Sequence, residues 1–162
     1  MTGVATDERR VQVMNEQPGG LVLELTRTLE APRERILTLL TEPVKLARWW
    51  GPRGFTTPEI TLDLRVGGRY RFTMQPPDGD AFHLSGEFLE IAPPGRLVYT
   101  FRWDEPHPDD RETVVALSLA AVGDATEVSL SQGQFTTEER RALHRDGWSD
   151  SFERLREVIA SG

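Results

Sequence analysis

The sequence predicts one α+β domain: an antiparallel meander of strands with a single long helix laid across one face. Three observations carry this. Runs of alternating apolar and polar residues follow one another, separated by short turns rich in Gly and Pro. Two short helical patterns interrupt the series after its first strand. The C-terminal run then changes to a helical period and keeps it nearly to the end of the sequence.

The first strand is "LVLELTRTLE". Leu21, Leu23, Leu25 and Leu29 share one side, Arg27 interrupts them, and Glu24, Thr26 and Thr28 take the other. In "APRERILTLLTEP", Pro32 suits the first helical position and Ile36, Leu39 and Leu40 form an apolar stripe. Pro43 closes that helix and opens a second, from Val44 to about Trp50. Gly51-Pro52 ends it, because proline cannot continue a helix. Ile60, Leu62 and Leu64 then alternate with Thr61, Asp63 and Arg65, before a turn at Val66-Gly67-Gly68. "RYRFTMQ" places Tyr70, Phe72 and Met74 on one face, and "PPDGD" is a hairpin turn. The next strand, "AFHLSGEFLEI", contains Gly86, a sign of a bulge, a sharp bend or a close approach. "LVYTFRW" puts Leu97, Tyr99, Phe101 and Trp103 on one face, and the polar loop "DEPHPDD" follows. Val115, Leu117 and Leu119 mark one further strand; Val128 and Leu130 mark another.

In the tail, Thr137 is a candidate N-cap with acidic residues behind it. Trp148, Phe152, Leu155 and Ile159 are spaced four, three and four, and His144 lies one turn before Trp148 on the same stripe. Gly147 inside this helix costs ~1 kcal/mol against Ala, so it calls for a packing reason such as a backbone passing close by.

The bulk numbers fit this picture. The chain has 162 residues, 38% hydrophobic and 28% charged, which suits one soluble domain. It has no cysteine, which excludes a disulfide framework and thiolate metal sites. Nineteen basic against 26 acidic residues leave a net charge of -7, with Lys45 the only lysine, so neither nucleic acid nor an anionic membrane surface is expected as a partner. No apolar run is long enough to span a bilayer, and the first residues lack the apolar core of a signal peptide. Residues 1–20 read as a flexible leader, residues 21–160 as one domain, and the expected compartment is the cytoplasm.

Five stretches, taken in order, resemble the START-like (SRPBCC, helix-grip) superfamily, and within it the homologues of the activator of the heat-shock-protein-90 ATPase. They are "RTLEAPRERI", "LARWWGPRGFT", "DLRVGGRYRFTM", "PDGDAFHLSGEFLEIAPPGRLVYTF" and "HRDGWSDSFERL". The resemblance runs from about Leu21 to Ile159. It implies a curved sheet gripping the long helix, with a hydrophobic cavity between them. It also carries over the pattern of His144, Gly147 and Trp148. Fold alone does not give function, because one fold hosts many.

The aromatic rows have two readings, plain core under the helix or the lining of a cavity for an apolar or aromatic ligand. On the second reading the candidates are Trp50, Phe55, Tyr70, Phe72, Met74, His83, Tyr99, Phe101, Trp103, His144, Trp148 and Phe152. Tyr99, Trp103 and His144 would supply polar groups, as would His83 and Ser85 if that strand's other face turns inward past Gly86. Trp49 and Trp50 are adjacent on a helical turn, about 100° apart, so they cannot share one narrow stripe. One ring is expected in the core, the other toward the cavity mouth or the surface.

No catalytic motif is present: no G-x-S-x-G, no H-E-x-x-H, no phosphate loop and no dinucleotide fingerprint. "VGGRY" joins two strands and opens no helix. His107 neighbours Asp109 and Asp110, but no second histidine lies at ligand spacing, so no metal and no cofactor are expected. Three functions follow in order of preference. The first is binding of a small apolar ligand without catalysis. The second is a chaperone-interaction module, which would expose a large apolar patch. The third is a cyclase- or hydratase-type enzyme or a natural-product self-protection protein, which would need an ionisable group such as His83, Glu87, Arg71 or His144 in the cavity. A chaperone contact and a homodimer stay open as partner readings.

Overall fold

The computed structural model describes residues 21–162. The leader expected at residues 1–20 lies outside these residues. The alternating runs become strands β1 (Leu21–Leu29), β2 (Thr56–Leu62), β3 (Arg69–Gln75), β4 (Phe82–Ala92), β5 (Arg96–Trp103), β6 (Thr113–Val122) and β7 (Ala125–Phe135). The helical runs become α1 (Arg33–Thr41), α2 (Pro43–Leu46) and α3 (Glu138–Ala160).

The strands form one seven-stranded antiparallel sheet in the order β1-β7-β6-β5-β4-β3-β2. Strands β2 to β7 form a meander in which each pairs with the next, and β1 adds to the free edge of β7, with Leu25 opposite Leu130 and Leu29 opposite Thr126. The inner face buries Leu23, Phe72, Leu84, Phe101, Leu117 and Leu130, in one core with Trp148, Phe152, Leu155 and Ile159 of α3. A sheet folded around one long helix is the helix-grip architecture. Thr137 caps α3 as its position suggests, its hydroxyl accepting from the Arg140 N–H at 3.1 Å. A smaller apolar cluster of Leu89, Val98, Val114 and Ala116 lies apart from that core.

Gly86 is a point of close approach. A Cβ there would lie 2.0 Å from the Thr100 carbonyl oxygen and 2.6 Å from the Tyr70 ring. At this point the β4–β5 ladder gives way to side chains. The Tyr70 hydroxyl donates to the Thr100 carbonyl at 2.5 Å, and the Glu87 N–H donates to the Thr100 hydroxyl at 2.8 Å. The register shift comes just beyond, between Phe88 and Glu90.

Several boundaries differ from expectation. Pro32 is the N-cap of α1 rather than its first helical residue. The second helix ends at Leu46 and continues as tight turns to Trp50, where Arg48 and Trp49 bond back three residues instead of four. Leu64 is exposed, because β2 stops at Leu62 and the chain turns back, the Asp63 N–H donating to the Arg69 carbonyl.

Candidate functional site

A cavity of about 490 Å³ opens between the first half of α3, the turn from Trp50 to Pro52, and the ends of β3, β4 and β5. Its walls are aromatic: Trp50, Phe55, Phe82, Phe101, Trp103 and Trp148, with Met74. The rings stack edge to face, Trp50 on Trp148 at 5.2 Å, Phe55 on Phe82 at 6.1 Å and Phe101 on Trp103 at 5.1 Å. Exposed residues, among them Leu143, Glu105 and Asp146, stand at its rim.

The adjacent tryptophans part as their spacing requires. Trp49 is fully buried and its indole N–H donates to the Leu39 carbonyl at 2.9 Å, which locks the turn onto α1. Trp50 faces the cavity and sets its ring edge-on to Phe72 at 4.9 Å. The chain then reverses at Gly51, whose φ of 99° is open to glycine and strained for other residues. Helix α3 holds this reversal through the main chain. Ser151 Oγ accepts from the Gly51 N–H at 3.1 Å. Arg154 Nη1 lies 3.0, 2.9 and 3.2 Å from the carbonyl oxygens of Trp50, Gly51 and Pro52. Arg53 pairs with Glu157 one step further on.

Two polar groups fix the helix side of the cavity. Gln132, fully buried on β7, accepts from the Trp148 indole at 2.8 Å and donates to the Thr113 hydroxyl at 2.9 Å. His144 lies between two partners with fixed roles. The Trp103 indole can only donate, so at 3.0 Å it meets a bare Nε2; the Arg140 carbonyl can only accept, so at 2.7 Å it takes the proton on Nδ1. His144 is therefore neutral, in one tautomer, with both nitrogens engaged. Burial holds its imidazole below the usual histidine range, against the opposite pull of the Arg140 carbonyl. It has no free lone pair with which to serve as a general base.

Charged groups line the rim. Asp110 accepts from Arg140 Nε at 2.8 Å and from the His107 N–H at 2.8 Å. Glu105 accepts from His83 Nδ1 at 2.7 Å and from the His83 N–H at 2.8 Å, and these bonds hold its carboxyl below the usual range. Among the described residues no cluster of histidine and carboxylate groups could hold a metal ion.

Of the residues singled out from the sequence, Trp50, Phe55, Met74, Phe101, Trp103, His144 and Trp148 meet around this cavity. Five others do not line it. Tyr70, Phe72 and Tyr99 lie behind Trp50, around a separate void of only about 20 Å³ that Trp50 also borders. Burial pushes both tyrosine hydroxyls well above the ordinary phenol range. Phe152 is sealed in the core where α3 closes onto the sheet. His83 points away, held by Glu105, because the strand does not turn its other face inward past Gly86. Ser85 is turned the same way and donates to Asp104 at 2.5 Å. Gly147 also answers differently from expectation. No backbone presses on it; the nearest atom to an added Cβ is Pro52 Cγ at 3.9 Å, and the glycine forms part of the cavity wall. Sequence reasoning missed Phe82, Gln132, and the loop residues Glu105 and Asp110. Gln132 carried a signal, since it extends the inward row of Val128 and Leu130 by one period.

Similar solved structures reproduce the whole architecture. A protein of Chromobacterium violaceum matches at TM-score 0.78 and 27% identity, over 85% of this chain and 96% of that one. A protein of Nitrosomonas europaea matches at TM-score 0.75 and 28% identity, over 90% and 97%. The AHSA1 protein of Silicibacter pomeroyi matches at TM-score 0.74 and 26% identity, over 86% and 97%. No curated protein shows significant sequence similarity to the chain. The model of the family described as "Activator of Hsp90 ATPase homolog 1-like protein" matches residues 30–160, which takes in both the Trp49-Trp50 turn and all of α3, and the chain belongs to that family.

Proposed function

We propose that the protein binds a small apolar or aromatic molecule in the cavity between its sheet and the first half of α3. The observation that carries this is the cavity itself, about 490 Å³ walled by six aromatic rings and a methionine. Ligand sites typically enclose ~300–1,000 Å³, mostly apolar with a few placed polar groups. Well-packed interiors hold few voids larger than a water molecule, so this space is not ordinary core. Binding without catalysis is the reading the polar groups support, because His144 spends both nitrogens on Trp103 and Arg140. Large apolar side chains exposed among the described residues, Val44, Leu64, Val122 and Leu143, sit on four separate segments, so no feature favours a chaperone-docking surface.

The experiment is a ligand screen read by tryptophan emission and thermal unfolding together. Trp50, Trp103 and Trp148 line the cavity, so occupancy should shift the emission. A ligand at 100 times its Kd should add ~2.7 kcal/mol of stability. A chemically broad panel of apolar and aromatic compounds that moves neither signal overturns the reading.

A further inference from the structure

The lining of the cavity is aromatic at its base and acidic at its mouth. Four carboxylates line it, Glu105, Asp110, Asp146 and Asp150, against a single guanidinium, Arg140. Arg140 is already committed to Asp110 at 2.8 Å, with both side chains largely buried, so that pair cancels. The remaining three are unequal in their surroundings. Glu105 is kept ionised by its bonds from His83. Asp150 accepts only from the Arg53 N–H, at 3.3 Å. Asp146 makes no hydrogen bond or ion pair among the described residues. Arg53 and Arg154 lie close enough to Asp150 to offset part of its charge, although Arg53 pairs with Glu157 and neither lines the cavity.

Resting on the cavity reading above, we infer that the ligand is a small organic cation: an apolar or aromatic body carrying an ammonium group. Two independent features select it. Trp50, Trp103 and Trp148 line the cavity, and the face of an indole ring attracts a cation through its quadrupole. The carboxylates of the lining outnumber its one guanidinium, with Asp146 unpaired among the described residues, and so raise the local concentration of cations and repel anions, within a chain already at net charge -7. The apolar body packs on Phe55, Phe82 and Met74; the ammonium stays near the rim, where Asp146 and Asp150 reach it.

Three probes of one skeleton test this: 4-phenylbutylamine, 4-phenylbutanol and 4-phenylbutyrate, titrated against the full chain and followed by calorimetry and tryptophan emission. The amine should bind about tenfold more tightly than the alcohol at low salt, with the butyrate weakest, and the gap should narrow as salt screens the rim. In the Asp146→Asn, Asp150→Asn double variant the amine's advantage should fall to about twofold while the alcohol binds as before. Asp146→Asn alone, at an exposed position, should give part of the loss and guards against a folding defect in the pair. Equal binding of amine and alcohol, or tightest binding of the butyrate, overturns the cation assignment and leaves the apolar cavity standing. If none of the three binds, the cation assignment is overturned, and the broad panel described above decides separately whether the cavity reading falls as well.

Discussion

Trp148 and Gln132 are joined by a 2.8 Å hydrogen bond from indole to amide oxygen, and both side chains are buried. This one contact ties α3 to β7 at the inner wall of the cavity. The amide's other end satisfies Thr113. Replacing Gln132 by Leu would leave the Trp148 indole N–H without its partner, whereas the Thr113 hydroxyl keeps the Phe101 carbonyl at 3.5 Å. An orphaned buried group costs ~1–3 kcal/mol, so Gln132→Leu should lower stability by roughly that amount in urea unfolding. The Trp148 ring should also lose its fixed orientation, seen as a weaker near-ultraviolet circular dichroism signal.

His144 makes the domain sensitive to acid in a definite direction. Its folded-state pKa lies below the value of 6.5 that it has when unfolded. Between the two values the unfolded chain binds more protons, so this contribution is full above the unfolded value and is lost as pH falls through the folded one. Protonation of Nε2 also removes the acceptor of the Trp103 indole. The Arg140 carbonyl and the Asp110 carboxylate oppose the effect, and the Arg140 guanidinium reinforces it. Urea midpoints measured from about pH 8 to about pH 5 should decline more steeply in the native protein than in His144→Gln. Parallel curves would show that another group dominates.

Gly147 separates helix stability from cavity shape. Gly147→Ala should stabilise the domain by up to ~1 kcal/mol, since the new methyl meets only Pro52 Cγ at 3.9 Å. Gly147→Leu should keep the fold and fill the cavity, so a bound probe should lose at least tenfold in affinity with little change in Tm. Unchanged affinity in the Leu variant would place the binding elsewhere.

Arg154 holds the Trp50–Pro52 turn by its main chain. Arg154→Met keeps most of the stem and removes the donors. Charge-assisted hydrogen bonds are worth ~1.5–3 kcal/mol, and the loss should fall in that range. Trp50 should become more accessible to acrylamide quenching, whereas Trp49, held by Leu39, should not.

The elements were largely legible because local periodicity writes them. The Thr137 cap, the separation of Trp49 from Trp50 and the placement of His144 beside Trp148 follow from spacing alone. The division of the aromatic rows was not legible. Tyr70, Phe72 and Met74 share one strand face, yet only Met74 reaches the larger cavity. What decides this is the Trp50 ring, which covers Phe72 at 4.9 Å and lies between that end of the row and the cavity, a long-range contact that no repeat encodes. The same holds for "DEPHPDD". Its acidic residues read as a solvated loop until the fold sets Glu105 on His83 and Asp110 on Arg140.

The grip of Arg154 and Ser151 on the Trp50–Pro52 turn has a consequence for descent. Those two residues hydrogen-bond only to backbone atoms of the turn, so this part of the anchoring does not depend on which side chains the turn carries. Changing Trp50 would cost its packing on Phe72 and Trp148 but would leave these anchoring bonds in place. A lineage can thus exchange one cargo for another by changing the furnishings of this corner without rebuilding its hinge.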